Sequence, residues 1–205
     1  MSAAAPVRGA LSRGAILLAG GRASRMGGIA KPLLRIGGVT LLDRAIAAGR
    51  DAGCAPITIV GPAADGVEAD DLAWVREDPP FTGPAAAAVA AIATWTAPGP
   101  EWAFLLACDL PRVGAAVARL SADLALLPSD ADGMCLGDAS SRPQWLTGVY
   151  RTTALRAASS RLADAGRDLS VRALLADLAI TVVPAPGDTA DIDTWEDYRK
   201  ECDDG

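Results

Sequence analysis

The stretch richest in potential chemistry is Ala15-Ile-Leu-Leu-Ala-Gly-Gly-Arg-Ala-Ser-Arg-Met-Gly-Gly-Ile-Ala-Lys31. Gly20 and Gly21 end a short apolar run, and paired glycines let another group approach the backbone closely. Arg22, Arg25 and Lys31 fringe the loop with positive charge. Exposed N–H groups and cations at the C-terminal end of a strand are what a polyphosphate needs. Lys31 stands out further, because only it and Lys200 are lysines among nineteen Lys and Arg residues. A lysine brings a compact point charge that seats against one phosphate, where arginine brings a planar fork. Two common nucleotide motifs are excluded. The glycines come as adjacent pairs, not as Gly-x-Gly-x-x-Gly, and Lys31 lies between Ala30 and Pro32, outside the P-loop pattern.

Composition narrows the setting. The chain has 205 residues, 51% of them apolar and only 4% aromatic, with a formal net charge of −6 and no histidine. That length predicts one domain, residues 14–205, behind a loose tail of residues 1–13. The acidic balance argues against nucleic-acid and anionic-membrane partners, so an anionic ligand must be held by a local cluster. Without histidine, histidine-based triads are excluded, and widely spaced cysteines (Cys54, Cys108, Cys135, Cys202) exclude most zinc sites. Four reduced thiols are expected, hence a cytoplasmic protein. No apolar run reaches transmembrane length, and residues 1–14 lack a signal-peptide core. A monomer or weak homo-oligomer is expected.

Alternating elements must position the loop. Ile16 to Leu18 reads as a buried strand, as do residues 57–60, 73–76 and 101–107. Further strands are predicted at 134–136, 145–150 and 180–183, with a short strand or turn at 33–36. Helices are expected from Leu41 to about Ala52 behind a Thr40 cap, over 85–93 behind Pro84, and over 114–127, 153–165, 170–178 and 195–201. This order implies a single-domain α/β fold, a mostly parallel twisted sheet with helices on both faces. Ligands then sit beyond the C-terminal strand ends, where the loops at Gly20, Gly61, Asp78 and Asp109 should converge.

The loop resembles the signature of the molybdenum cofactor guanylyltransferases and related nucleotidyltransferases. It carries Leu18-Ala19-Gly20-Gly21, Arg25-Met26-Gly27 and Lys31 in register. Three later blocks continue the resemblance: Asp78 ahead of Gly83-Pro84, Cys108-Asp109-Leu110-Pro111, and Asp193-Thr194-Trp195-Glu196-Asp197. Together they cover roughly residues 14–198 in order. The resemblance implies a Rossmann-like nucleotidyltransferase fold. It also implies attack by a phosphorylated acceptor, the molybdopterin cofactor, on the α-phosphorus of GTP or another NTP.

By the same resemblance, Leu18, Ala19, Gly20 and Gly21 cradle the nucleotide, Arg25 and Lys31 meet the phosphates, and Gly61 and Asp78 contact the nucleotide. Asp109 binds Mg²⁺, a hard cation that takes oxygen ligands, with Asp193 as a further ligand. Asp193 or Thr194 can cap the last helix, Asp193 in a capping box with Glu196, and Asp78 also fits a turn before Pro79, so these roles stand open here. Arg142 and Gln144 are candidates for meeting the acceptor. Two positions depart from the family. Gly61 replaces an Asn that follows the second strand, and Ala30 replaces an Asp before the loop lysine, which opens the choice of base. A sibling transferase using CTP or a sugar-phosphate acceptor, and a non-catalytic nucleotide-binding protein, are the alternatives. If a compact charge is what the loop needs, Lys31→Arg should lower kcat/KM for nucleotidyl transfer at least about ten-fold. Steady-state kinetics check this, and unchanged constants would make the lysine a coincidence.

Overall fold

The computed structural model describes residues 11–21, 29–63, 67 and 69–203. Among these the strands are β1 (Arg13–Leu18), β2 (Arg35–Ile36), β3 (Val39–Thr40), β4 (Cys54–Val60), β5 (Leu72–Val75), β6 (Trp102–Ala107), β7 (Gly133–Gly137), β8 (Pro143–Arg151) and β9 (Ile180–Pro184). The α-helices are α1 (Leu41–Asp51), α2 (Pro84–Thr94), α3 (Val113–Asp123), α4 (Thr152–Arg161), α5 (Val171–Leu174) and α6 (Trp195–Asp203).

Seven strands form one sheet in the order β5-β4-β1-β6-β8-β7-β9, and β2 and β3 form a separate hairpin. Only β8 runs against its neighbours in the large sheet. β1 is covered on both faces. Ala15 and Leu17 join one apolar cluster with α1 and α3, while Ile16 and Leu18 join another with α2, α4 and α5. A strand buried on both faces has to be apolar at every position, which explains its continuous run. β6 repeats the pattern, Phe104 and Leu106 on one side and Ala103 and Leu105 on the other. Thr58 interrupts β4 without penalty, because its buried hydroxyl accepts from the Trp95 indole N–H at 2.8 Å.

The expected α1 forms as read. Thr40 Oγ1 accepts from the Asp43 N–H at 3.0 Å, and Gly53, with φ +70, ends the helix. Residues 31–33 form a 3₁₀ turn, and the chain then doubles back at Gly37-Gly38, whose φ values of +59 and +82 suit a tight hairpin. Arg44 Nη2 donates to the Ile36 carbonyl at 2.7 Å and fixes this hairpin on α1.

Other expectations shift. The helix predicted to Leu127 ends at Asp123 and passes into a 3₁₀ turn. The one predicted to Ala165 ends at Arg161, since Asp164 and Ala165 adopt left-handed backbone (φ +50 and +52) that cannot continue a helix. The one predicted over 170–178 is a single turn, Val171–Leu174. Residues 1–10 of the expected tail lie outside the described residues. Ser12 already belongs to the fold: its carbonyl accepts from the Trp102 N–H at 3.1 Å and its Oγ from the Glu101 N–H at 2.9 Å. Among the described residues no helix is long and apolar enough to cross a membrane.

Near its end the chain returns to the head of the sheet. Ile192, fully buried, packs with Leu34, Ile36 and Leu41 in a third small cluster, and its N–H donates to the Asp109 carbonyl at 3.0 Å. Tyr198 Oη donates to the Arg35 carbonyl at 2.8 Å. On the other side of the sheet, β8 shifts register against β7 beside Cys135. Tyr150 occupies the space so gained, its Oη donating to the Trp145 carbonyl at 2.8 Å. A Cβ at Gly148 would collide with Tyr150 Oη and lie 2.9 Å from the Met134 carbonyl oxygen. Gly148→Ala should therefore lower the unfolding free energy by about 1–3 kcal/mol, read from chemical denaturation.

Candidate active site

The chain leaves β1 first toward β4 and β5, and only later crosses to β6 on the other side. Such a reversal opens a crevice at the C-terminal strand ends. Hydrogen bonds hold its lips: the Ala19 N–H donates to the Val60 carbonyl at 2.9 Å, and the Cys108 N–H to the Leu18 carbonyl at 3.1 Å. A cavity of about 550 Å³ occupies the crevice. Leu18, Ala19, Gly20, Gly21, Lys31 and Asp109 line it together, so most of the sequence-derived set converges.

At the β6 side the site is charged. Lys31 Nζ donates to Asp193 Oδ1 at 2.6 Å and lies 3.6 Å from Asp109 Oδ2, with its side chain only 15% exposed. Asp109, Asp191 and Asp193 each offer a carboxylate oxygen, and these oxygens all lie within 4.8 Å of one another. Burial pulls the Lys31 pKa down, but the hydrogen bond it donates to Asp193 and the charges of Asp109, Asp193 and Asp191 outweigh it and leave it raised. Burial raises the Asp109 pKa against the opposing pull of Lys31, with Asp191 and Asp193 adding repulsion. Desolvation, then the Asp193 charge, raises that of Asp191. Cys108, wholly buried, has its thiol pushed far up by desolvation and is no nucleophile.

At the β5 side the cavity is framed by Glu77, Phe81, Gly83 and Pro84, with Val60, Ala87 and Leu146 giving it apolar walls. Phe81 adopts φ +66, an outlier for a bulky residue, and such backbone costs about 1–3 kcal/mol. Glu77 Oε1 accepts from the Phe81 N–H at 2.8 Å, and Thr82 Oγ1 donates to the Pro79 carbonyl at 3.0 Å, so the bend is braced on both sides.

Several sequence-derived residues sit elsewhere. Asp78 does not line the cavity; it lines a neighbouring hollow beside α2, while Glu77, one residue earlier, borders both the hollow and the cavity. Gly61 lies behind the loop. A Cβ there would sit 3.1 to 3.2 Å from the Ala19 and Gly20 backbone, so its smallness permits the close approach of β4 to the loop. Arg142 and Gln144 line no part of the cavity. Gln144 Nε2 and the Arg142 N–H both donate to the Asp138 carboxylate, which closes the β7–β8 turn. Arg25, with Met26 and Gly27, lies outside the described residues.

Asp193 does not cap α6 with Glu196. The cap is Thr194 paired with Asp197: each accepts from the other's N–H, at 3.2 and 2.8 Å. The Asp193 carboxylate is thereby turned to Lys31. Asp191 was missed by sequence reasoning, although the order Asp191-Ile192-Asp193 carried a signal. Two acids flanking a buried apolar residue share the side opposite to it.

Residues 15–182 match the family model described as the MobA-like NTP transferase domain. The chain belongs to this family. It is a nucleotidyltransferase of MobA-like type. A probable molybdenum cofactor guanylyltransferase of Synechococcus elongatus is 35% identical over 182 residues, covering 83% of this chain and 87% of its own length. Among solved structures, Rv0371c of Mycobacterium tuberculosis H37Rv matches with TM-score 0.70 and 24% identity, over 95% of this chain and 100% of its own. That protein has also been solved as a complex with manganese. Molybdopterin-guanine dinucleotide biosynthesis protein A of Archaeoglobus fulgidus shares the fold, with TM-score 0.65 and 16% identity over 92% and 96% of the two chains.

If Gly61 serves the loop's seat and not the core, Gly61→Ala should weaken nucleoside triphosphate binding several-fold while thermal stability changes little. Calorimetric titration beside a melting curve checks this.

Proposed function

We propose that this MobA-like transferase moves GMP from GTP onto the terminal phosphate of a molybdopterin-type cofactor and releases pyrophosphate. The observation that carries the reading is a cavity lined by residues 18–21, Lys31 and Asp109, with Asp191 and Asp193 grouped against Asp109 and Asp193 bonded to Lys31. An acceptor phosphate oxygen attacks the α-phosphorus, and the bond to the bridging oxygen of the leaving pyrophosphate breaks. A terminal phosphate is already largely ionised near pH 7, so no histidine or other tuned base is required. Catalysis then rests on positioning and charge neutralisation.

In this reading the N–H groups of residues 18–21 hold phosphate oxygens, Arg25 and Lys31 compensate their charge, and Lys31 follows the charge that develops on pyrophosphate. Asp109 and Asp193, joined by Asp191, would hold a divalent cation, and an all-carboxylate donor set suits a hard ion such as Mg²⁺ that keeps several waters. When bound, that ion supplies neutralisation of phosphate charge. The manganese complex of the M. tuberculosis relative supports a divalent ion on this fold. The Synechococcus relative's name supports the guanylyl and cofactor assignments. Four free cysteines support a reducing cytoplasm as the place of work.

Cytidylyl transfer is the second reading, left open by Gly61, which offers no side-chain amide where family members carry Asn. Calorimetry with GTP, CTP and ATP in the presence of Mg²⁺ separates the two; GTP should bind at least about ten-fold more tightly, and a preference for CTP would replace the guanylyl assignment. Asp109→Asn should lower turnover by at least about a hundred-fold with the far-UV circular dichroism unchanged. Near-normal turnover would remove Asp109 from the metal site.

A further inference from the structure

We infer that Phe81 is the wall on which the nucleobase stacks, and that Glu77 is the residue that positions it; this rests on the nucleotidyl-transfer reading above. The cavity runs from the end of β6 to the end of β5, three strand positions away in the sheet. At about 4.8 Å per strand that is roughly 14 Å, enough to separate a triphosphate from its base. Lys31 and the carboxylates of Asp109, Asp191 and Asp193 lie at the β6 side, so the phosphates belong there and the base belongs at the other. That side offers Val60, Pro84 and Ala87 as small apolar surfaces and one aromatic ring, Phe81.

Phe81 lacks the features of a core aromatic. It is 47% exposed in a chain with only two phenylalanines, the other of which, Phe104, is fully buried. Its backbone is held in a left-handed conformation that a phenylalanine does not adopt by preference. Backbone outliers of this kind cluster at ligand clamps, where the surroundings over-determine them. Here the surroundings do so. Glu77 accepts from the Phe81 N–H, Thr82 ties back to Pro79, and the Thr82 carbonyl accepts from the Asp168 N–H at 2.7 Å. The Arg76 guanidinium lies 5.2 Å from the ring centroid and steadies the ring by cation–π attraction. The bend places a half-exposed ring on the cavity wall and fixes its plane before the base arrives. Stacking uses the π-face that every base has, so Phe81 adds affinity for all nucleotides and leaves the choice of base to groups at the base edge.

The test compares GTP with inorganic tripolyphosphate, each with Mg²⁺, by calorimetry on the full chain. Phe81→Leu keeps an apolar side chain and the same backbone demand but removes the ring. It should weaken GTP about ten-fold and leave tripolyphosphate unchanged, with Phe81→Trp restoring GTP affinity. Glu77→Ala should reproduce the selective GTP loss, and Glu77→Gln, whose amide oxygen can still accept from the Phe81 N–H, should not. Equal weakening of both probes by Phe81→Leu would reduce the residue to a structural brace. Unchanged GTP affinity would remove it from the site. A loss in Glu77→Gln as large as in Glu77→Ala would make the Glu77 charge, not its bracing bond, the operative feature. Failure of the wild-type chain to bind either probe would overturn the nucleotidyl-transfer site itself.

Discussion

Parallel pairing of β1 with β4 on one side and β6 on the other fixes where this protein can do chemistry. Two crossovers that depart in opposite directions open a crevice at the ends of β1 and β6. The glycine-rich loop emerges from one of these ends and Asp109 from the other, and the bond from the Cys108 N–H to the Leu18 carbonyl keeps them in register. The fully buried faces of β1 and β6 make this spacing rigid, since a close-packed interior does not deform gradually. What remains adjustable is the set of loops around the fixed pair.

The C-terminal segment is the most consequential of those adjustments. Burial of Ile192 against Leu34, Ile36 and Leu41 brings Asp191 and Asp193 to Asp109, a contact that apolar packing must drive because the charges oppose it. With Asp109 raised above its ordinary pKa, the folded chain binds more protons than the unfolded one in that range. Its stability therefore falls as pH rises from the unperturbed carboxylate value through the raised one. Lys31 works in the opposite sense: its raised pKa marks stabilisation that is fully present at neutral pH and is lost only as pH rises through the lysine range. One ammonium does not balance three carboxylates. Charge crowding at a functional site is a cost the rest of the fold offsets.

Much of this was legible in the residues. The continuous apolar runs of β1 and β6, the mostly apolar β4, the Thr40 cap and the Pro84 start each have a local cause, and each formed as expected. Lys31 and Asp109 were legible because type and position both mattered, a rare lysine in a glycine loop and an acid directly after a buried strand. Glu77 and Asp191 were not, since which of two neighbouring positions faces a cavity depends on where the strand or loop turns. Asp164 and Ala165 were opaque for a related reason: alanine favours helix, and only the tertiary setting imposed left-handed backbone on it. Of the two cap candidates for α6, Asp193 and Thr194, the structure uses Thr194. Thr194 and Asp197 satisfy the same spacing rule as Asp193 and Glu196, and a hydroxyl serves as cap while the carboxylate is drawn to Lys31.

An acidic chain that handles a polyphosphate has a problem its net charge of −6 makes plain. Long-range attraction is absent, so binding must come from short-range groups that act only inside the crevice. In the proposed function neutral donors answer part of the need, because backbone N–H groups at Gly20 and Gly21 would attract phosphate oxygens without adding charge to the site. The three carboxylates would repel the same phosphates, and a divalent cation held by them would supply the compensating charge. Lys31 cannot take that place, since an ammonium carries one charge and donates protons where a metal accepts lone pairs. It can bridge carboxylate and phosphate from the side, and the compactness that lets its 2.6 Å contact with Asp193 coexist with Asp109 at 3.6 Å is what a guanidinium fork lacks. In the proposed function the lysine is thus demanded twice, by the phosphate it would meet and by the crowded acids that hold it.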